Sequence, residues 1–363
     1  MRVCFTCVEI FAWGKYGGFG RATRTIGREL VKRGIEVFTV VPRRKGQKAV
    51  EELDGITVLS FPSCFPWSSK KLYKVCDADI YHSSEPSFGT YLAMKEMPHR
   101  SHIVTLRDPR DFEDWKMEYK FPSLNRLQVI SNYFYESNFL VKRAVQRADY
   151  VFCIAKYLIP KVKSMYALKS DPSFLPTPVT IPYKVHKALA PTVCFLARLD
   201  RRKRPEIFLE LAKEFPNVKF IAFGASRDKK WDNYLRKTYS DLPNIEMTGF
   251  VDQFSSDLHS QILEKSWIMV NTATREALPN AFLEAAAHRC AILSAVDPDC
   301  FASQFGYHVQ NGDFNEGLEF LLEQNRWLEK GYKGYEYVKE TFEMNQAIDK
   351  HISAYEQILS RKL

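Results

Sequence analysis

The chain has 363 residues, 45% of them hydrophobic and 26% charged, with a formal net charge of +9. That length exceeds one ordinary domain and predicts two of roughly 150–200 residues, each with an ample core. No apolar run reaches the roughly 18 residues of a membrane span. Thr6 and Glu9 interrupt the N-terminal apolar run and no small-residue cleavage site follows. It therefore reads as a core strand and not as a signal peptide, and a cytoplasmic chain is expected.

The charge is unevenly placed. Residues 1–185 hold 29 Lys and Arg against 18 Asp and Glu, an excess of +11 that leaves −2 for the rest. Such a split suggests a polyanionic partner, namely an anionic membrane surface or phosphorylated substrates ahead of nucleic acid. Clusters such as Arg43, Arg44, Lys45 and Lys48, and Lys70, Lys71 and Lys74, are its candidates. A peripheral position on the inner face of a membrane is thus an alternative to a freely cytoplasmic one. Of eight cysteines, only Cys4 and Cys7 are close in sequence, and in a strand they point to opposite faces. Buried thiols in a reducing compartment are expected, with no metal site.

Residues 3–7 form the first strand. A loop follows with Gly17, Gly18 and Gly20 close together and Lys15 beside them. Ala22, Ile26 and Leu30 then mark a helix over 21–33, and 36–41 the next strand. Gly18-x-Gly20 has no third glycine at Thr23, so the loop is a phosphate-loop candidate and not a dinucleotide fingerprint. Strands at 57–61, 79–82 and 102–106, a long helix at 128–147 and a strand at 150–154 continue a mainly parallel, doubly wound pattern. Five prolines within 171–191 read as the interdomain linker.

A second alternating set follows. Strands are expected at 192–196, 218–223 and 245–248, with helices at 205–214, 230–239 and 255–264. A helix near 316–323 and a last helical stretch over 345–363 end the chain. The expected division is an N-terminal domain over 1–180 and a C-terminal domain over 181–340. The helix within 341–363 is expected to pack back toward the N-terminal domain.

The most informative stretch is 267–295. An apolar strand leads into a polar loop, Pro279 suits the first position of a helix, and a helix rich in Ala, Leu and Phe runs into another buried strand. Glu276 lies in the loop and Glu284 inside the apolar helix. A buried carboxylate needs a partner, and a helix N-terminus favours an anion. A phosphate above the helix and a hydroxyl beside Glu284 would satisfy both; a solvated Glu on a half-buried helix is the alternative.

This pattern resembles the retaining glycosyltransferases of family 4, within the glycosyl transferases group 1. Glu276 and Glu284 stand in an E-x7-E arrangement around Ala277-Leu278-Pro279. Ala197-Arg198-Leu199-Asp200-Arg201-Arg202-Lys203 is similar to the family's G-R-L-x-x-x-K strand end. Gly224 and Gly249-Phe250-Val251 stand like its nucleotide-contacting loops, and Gly17-Gly18 and Asp149 also fit. The resemblance implies the GT-B fold, an α/β architecture of two Rossmann-like, doubly wound parallel-sheet domains facing across a cleft. It implies a UDP- or GDP-sugar as co-substrate, a glycan or lipid-linked acceptor, no cofactor, no metal and no nucleic acid. Arg198 and Lys203 would hold the diphosphate, Glu276 the sugar hydroxyls and Glu284 the ribose. Leu278, Pro279 and Asn280 would line the sugar or β-phosphate, with Gly224, Phe250 and Val251 near the nucleotide. Asp297-Pro298-Asp299 is similar to a metal-binding D-x-D, but ordinary turn chemistry accounts for it.

The chain also departs from the family. Arg107 stands where a sugar-positioning His is common; it is expected to reach toward the donor sugar and to be replaceable at little cost in stability. His82, at another strand end, either compensates or is structural. Ala197 and Ala277 replace glycines, and His288-Arg289-Cys290 is unusual. Retaining transfer to an acceptor hydroxyl is the leading expectation. The alternatives are a non-catalytic nucleotide-sugar binder and another GT-B activity such as a nucleotide-sugar epimerase.

Overall fold

The structure is a computed structural model that describes residues 1–14, 16–123 and 125–361. Lys15 of the glycine loop and the last two residues of the expected C-terminal helix lie outside them. By its contacts the chain divides into two compact units. The first comprises Met1–Trp115, Ile130–Pro178 and Met344–Leu363; the second comprises Lys116–Val129 and Val179–Glu343. The chain thus crosses between units more often than a single proline linker would suggest.

The first unit is built on eight strands: β1 (Arg2–Cys7), β2 (Glu36–Pro42), β3 (Val50–Leu53), β4 (Ile56–Phe61), β5 (Ile80–Ser84), β6 (Ser101–Leu106), β7 (Tyr150–Cys153) and β8 (Ser173–Phe174). Their order is β3-β4-β2-β1-β5-β6-β7-β8, parallel throughout except for the β3–β4 hairpin. Alternate residues of β1 face opposite sides, as the two-residue period of a strand requires. Val3, Phe5 and Cys7 join one core with Ile26, Leu30, Ile348 and Tyr355, beneath the helices Gly18–Lys32 and Met344–Ser360. Cys4 joins the other with Tyr73, Tyr81 and Leu92, beneath the helices Ser69–Cys76 and Phe88–Glu96. Cys4 and Cys7 therefore serve separate cores.

The second unit carries β9 (Thr192–Leu196), β10 (Lys219–Phe223), β11 (Ile245–Gly249), β12 (Ile268–Asn271), β13 (Ala291–Ser294) and β14 (Gly306–His308). Their order is β11-β10-β9-β12-β13-β14, all parallel. Chain order reverses between β9 and β12, and there the connections leave toward opposite sides of the sheet. In open parallel sheets such a switch point opens a crevice at the carboxyl ends of the strands.

The long helix expected at 128–147 is two helices, Arg126–Glu136 and Phe139–Arg147. The Asn138 side chain accepts from the N–H groups of Leu140 and Val141, so it starts a new helix where periodicity sees none. Pro279 is the residue just before the helix Asn280–Ala287 and not its first residue. All eight cysteines are free thiols, and among the described residues no helix is long and apolar enough to cross a membrane.

Two histidines are locked inside the first unit. His82 is buried between the Tyr355 hydroxyl at 2.8 Å and the Thr105 hydroxyl at 2.7 Å, and His351 lies 3.1 Å from the Pro176 carbonyl. Burial, reinforced by His351 and the Arg107 cation, pushes His82 well below its ordinary 6.5, and burial likewise takes His351 to about 3. Both are neutral in the fold while the unfolded chain protonates below about 6.5, so their contribution is present above that pH and lost as pH falls. Glu85, raised to about 7 by burial, acts in the opposite sense over part of this range, but as one group against two. The melting temperature should fall from about pH 7.5 to about pH 5, and His351→Gln should shrink that fall. An equal fall in the variant would show that His351 does not carry it.

Candidate functional site

Most of the sequence-predicted residues of the second unit gather at the carboxyl ends of β9, β10 and β12. After β9 the chain passes Arg198, Leu199 and Asp200, makes a single 3-10 turn at Arg201–Lys203, and reaches Arg204 at φ 46° before the helix Pro205–Glu214. The loop after β12 is stitched to this turn. The Thr272 hydroxyl donates to the carbonyls of Lys203 and Arg204, at 2.6 and 2.8 Å, and Arg204 donates to the Thr272 carbonyl. Asn271 accepts from the Ala273 N–H at 2.9 Å. The two loops at the switch point are therefore one rigid piece.

That stitching sets Lys203 against Glu276. Their side chains form an ion pair, with 13% and 16% exposure respectively. Burial lowers the Lys203 pKa, and the nearby Glu276 carboxylate raises it again in part. Arg198 lies 3.3 Å from the buried Asp200 carboxylate, which Ser226 also approaches at 3.4 Å. Arg202 pairs with Glu118, from the segment that joins the second unit out of sequence. Sequence reasoning missed Asp200, Arg204, Thr272 and Glu118. Asp200 was visible in the quoted motif, but a partner at position 118 had no local signal.

The helix Asn280–Ala287 begins without a capping side chain at Pro279 and without an acid in its first turn. Its N–H groups are oriented to favour an anion there. Leu278 is buried and Asn280 half-buried at that end. Glu284, one turn further, is 16% exposed on its side chain, with its Oε2 3.4 Å from His259 Nε2. His288 is held by the Glu284 carbonyl at 2.7 Å and the Ser260 hydroxyl at 2.8 Å, and burial lowers its pKa.

The loops after β10 and β11 complete the rim. Gly224 has φ 140° and its N–H donates to the Gly249 carbonyl at 2.8 Å. A Cβ on Gly224 would lie 1.9 Å from the Ala197 carbonyl oxygen. Phe250 is exposed and Val251 half-buried just beyond β11. Asp297 is spent on structure, accepting from the Ala302 and Ser303 N–H groups at 2.7 and 3.1 Å, and Asp299 sits at φ 52° in the same turn.

The first-unit candidates fare differently. The Glu9 carboxylate accepts from the Gly20 N–H at 3.1 Å, and a Cβ on Gly17 would lie 1.9 Å from the same oxygen. Glu9 thus fills the start of the helix Gly18–Lys32, where Gly17 and Gly18 suggested a phosphate. His82 is a core residue with both ring nitrogens engaged, so it projects nothing toward a ligand. Arg107 is 4% exposed and donates to the Ser84 hydroxyl at 3.0 Å and the Thr177 hydroxyl at 3.1 Å. It is an interior cation and not an outward-reaching one, because Glu85 and these hydroxyls compensate it inside the unit. Glu85 itself has φ 82° and accepts from the N–H groups of Arg107 and Asp108 at 2.6 and 2.8 Å.

Known proteins can be set beside this geometry. Residues 184–340 match the family described as glycosyl transferases group 1. No curated protein sequence matches the chain. The sucrose-phosphate synthase of Thermosynechococcus elongatus superposes with a TM-score of 0.74 at 13% identity, over 99% of each chain. HepE of Anabaena, solved with UDP-glucose, gives 0.70 at 13% identity over 98% of this chain and 100% of that one. The catalytic domain of starch synthase IV from Arabidopsis thaliana, bound to ADP and acarbose, gives 0.65 at 11% over 99% of each. At such identities these likenesses speak for the fold.

Two outcomes check this description. Gly224→Ala should cost about 1–3 kcal/mol of stability, read by denaturant unfolding, since an L side chain is strained at that φ. Arg107→Ala should cost about 1–3 kcal/mol, because it leaves the buried Ser84 and Thr177 hydroxyls without their donor. This reverses the sequence-based expectation of little loss, and an unchanged melting temperature would contradict the buried placement.

The fold is thus the one shared by GT-B glycosyltransferases, and residues 184–340, within the second unit, are similar to the glycosyl transferases group 1.

Proposed function

We propose that the chain is a retaining, metal-independent glycosyltransferase of the family 4 type, moving a sugar from a nucleotide-diphosphate-sugar to an acceptor hydroxyl. The observation that supports this most is the Lys203–Glu276 pair at the switch point between β9 and β12. A cation and a carboxylate side by side offer one group to a diphosphate and one to sugar hydroxyls.

In this reading Arg198, Lys203 and the start of the helix Asn280–Ala287 neutralise the charge that grows on the diphosphate as the sugar–phosphate bond breaks. Glu276 accepts from donor-sugar hydroxyls and Glu284 from the ribose, with Gly224, Phe250 and Val251 beside the nucleotide. The departing phosphate oxygen takes the acceptor's proton as the acceptor oxygen bonds to the same face of the anomeric carbon. The protein supplies position and charge. The acceptor is expected to be a glycan or lipid-linked precursor. The bound ligands of HepE and starch synthase IV are in keeping with a nucleotide-linked donor.

The interior placement of Arg107 and His82 favours a second reading, a nucleotide-sugar binder without transfer, since neither side chain is available to a donor. Titration of UDP and GDP, followed by transfer and donor-hydrolysis assays, separates the two. Glu276→Gln should abolish turnover and keep nucleotide affinity. Glu284→Gln should weaken nucleotide binding by about 1–3 kcal/mol, the range for a lost charged hydrogen bond. Equal loss of affinity in both variants would overturn the assigned roles, and donor binding without any turnover would favour the binder.

A further inference from the structure

One outward face of the first unit brings aromatic rings and cations together. The helices Ser69–Cys76, Phe88–Glu96 and Phe139–Arg147 lie side by side over the core around Tyr73, Tyr81 and Leu92. The helix Phe139–Arg147 buries Val141, Ala144 and Val145. Its opposite face, at three- and four-residue spacing, is Phe139, Lys142, Arg143 and Arg147, all exposed. Phe139 is 71% exposed, and Phe134, in the preceding helix, is 65% exposed. Phe65 and Trp67 stand exposed before the helix Ser69–Cys76, which turns Lys71, Lys74 and Val75 outward. The Trp67 ring meets the Phe88 ring edge-on at 4.6 Å, and Phe88 lies 6.5 Å from Tyr135, next to Phe134 in the chain. The two groups of rings are neighbours.

Acids on this face are already engaged. Glu96 holds Lys74 at 3.1 Å and Lys70 at 3.5 Å, and Glu136 holds Arg110 at 3.3 Å. No ion pair among the described residues uses Lys71, Lys142, Arg143 or Arg147. The clusters that the sequence offered first do less. Arg43 spends its guanidinium on the Ser60 hydroxyl and carbonyl, and Arg44 donates to the Val8 carbonyl.

We propose that this face docks on an anionic lipid surface. Phe134, Phe139 and Trp67 enter the headgroup boundary while Lys71, Lys142, Arg143 and Arg147 meet lipid phosphates. Protruding rings flanked by cations suit the boundary between acyl chains and headgroups. A soluble polyanion would use the cations and leave the phenylalanines without a role. The +11 excess of residues 1–185 has the sign this surface requires.

Co-sedimentation with vesicles of phosphatidylcholine alone, and of phosphatidylcholine with phosphatidylglycerol, tests the assignment at low and high salt. The wild-type chain should pellet with the anionic vesicles at low salt, and high salt should weaken the binding. The double change Lys142→Glu with Arg143→Glu should reduce binding on the order of tenfold or more. Phe134→Ser with Phe139→Ser should reduce it about tenfold. All four positions are exposed, so circular dichroism and melting should be unchanged. Failure to pellet with anionic vesicles, or pelleting that both variants retain, overturns the proposal. So does self-association without lipid that Phe139→Ser dissolves, which would make the face a contact between copies. The inference stands on the first unit alone. Variants that lose vesicle binding but still hydrolyse donor would separate it from the transfer reading.

Discussion

The second unit depends on one constraint of parallel sheets. When the strand order reverses between β9 and β12, no connection covers the strand ends between them, and both loops leave that point exposed. Loops at such a place must be fixed by their own hydrogen bonds. Here the Thr272 hydroxyl serves two carbonyls of the β9 turn, and Arg204 returns a bond to the Thr272 carbonyl. Backbone stitching of this kind lets two opposite charges stand together without a flexible linker between them. The left-handed Arg204 and the close approach of Gly224 to Ala197 are local costs accepted within that geometry.

The first unit uses the same kind of sheet to opposite effect. At its own strand-order reversal, between β1 and β5, several charged and polar groups are satisfied internally. Glu9 fills the helix start, Glu85 takes two backbone donors, Arg107 is enclosed by hydroxyls, and His82 is held at both nitrogens. Low dielectric makes each of these bonds strong and each missing partner costly.

Much of this was legible in the sequence because it is local. The apolar strand, the loop with Glu276 and the helix with Glu284 appear where hydrophobic pattern and Pro279 put them. The run from Ala197 to Lys203 does lead out of a strand. What escaped was long-range or polar. The Thr177 hydroxyl that receives Arg107 lies 70 residues away, so an Arg at a strand end looked free to reach outward. The break at Asn138 is a capping event that hydrophobic period does not register. The β3–β4 hairpin, by contrast, turns through Asp54 and Gly55, both at positive φ, and an Asp-Gly turn is a signal the sequence did carry. The helix Phe88–Glu96 was missed for another reason: Phe88, Gly89, Thr90, Leu92 and Ala93 are all buried, which blurs any polar face.

On the proposed reading, the Lys203–Glu276 pair would also act as a coincidence requirement. Opening it exposes two mostly enclosed charges, and each then needs a partner of its own. Inorganic phosphate alone would satisfy the ammonium and strand the carboxylate; a free sugar would do the reverse. Only a molecule carrying an anion and hydroxyls at the right separation satisfies both at once. On that reading, selectivity against the fragments would be written into the ground state, as a charge pair that half a ligand cannot replace.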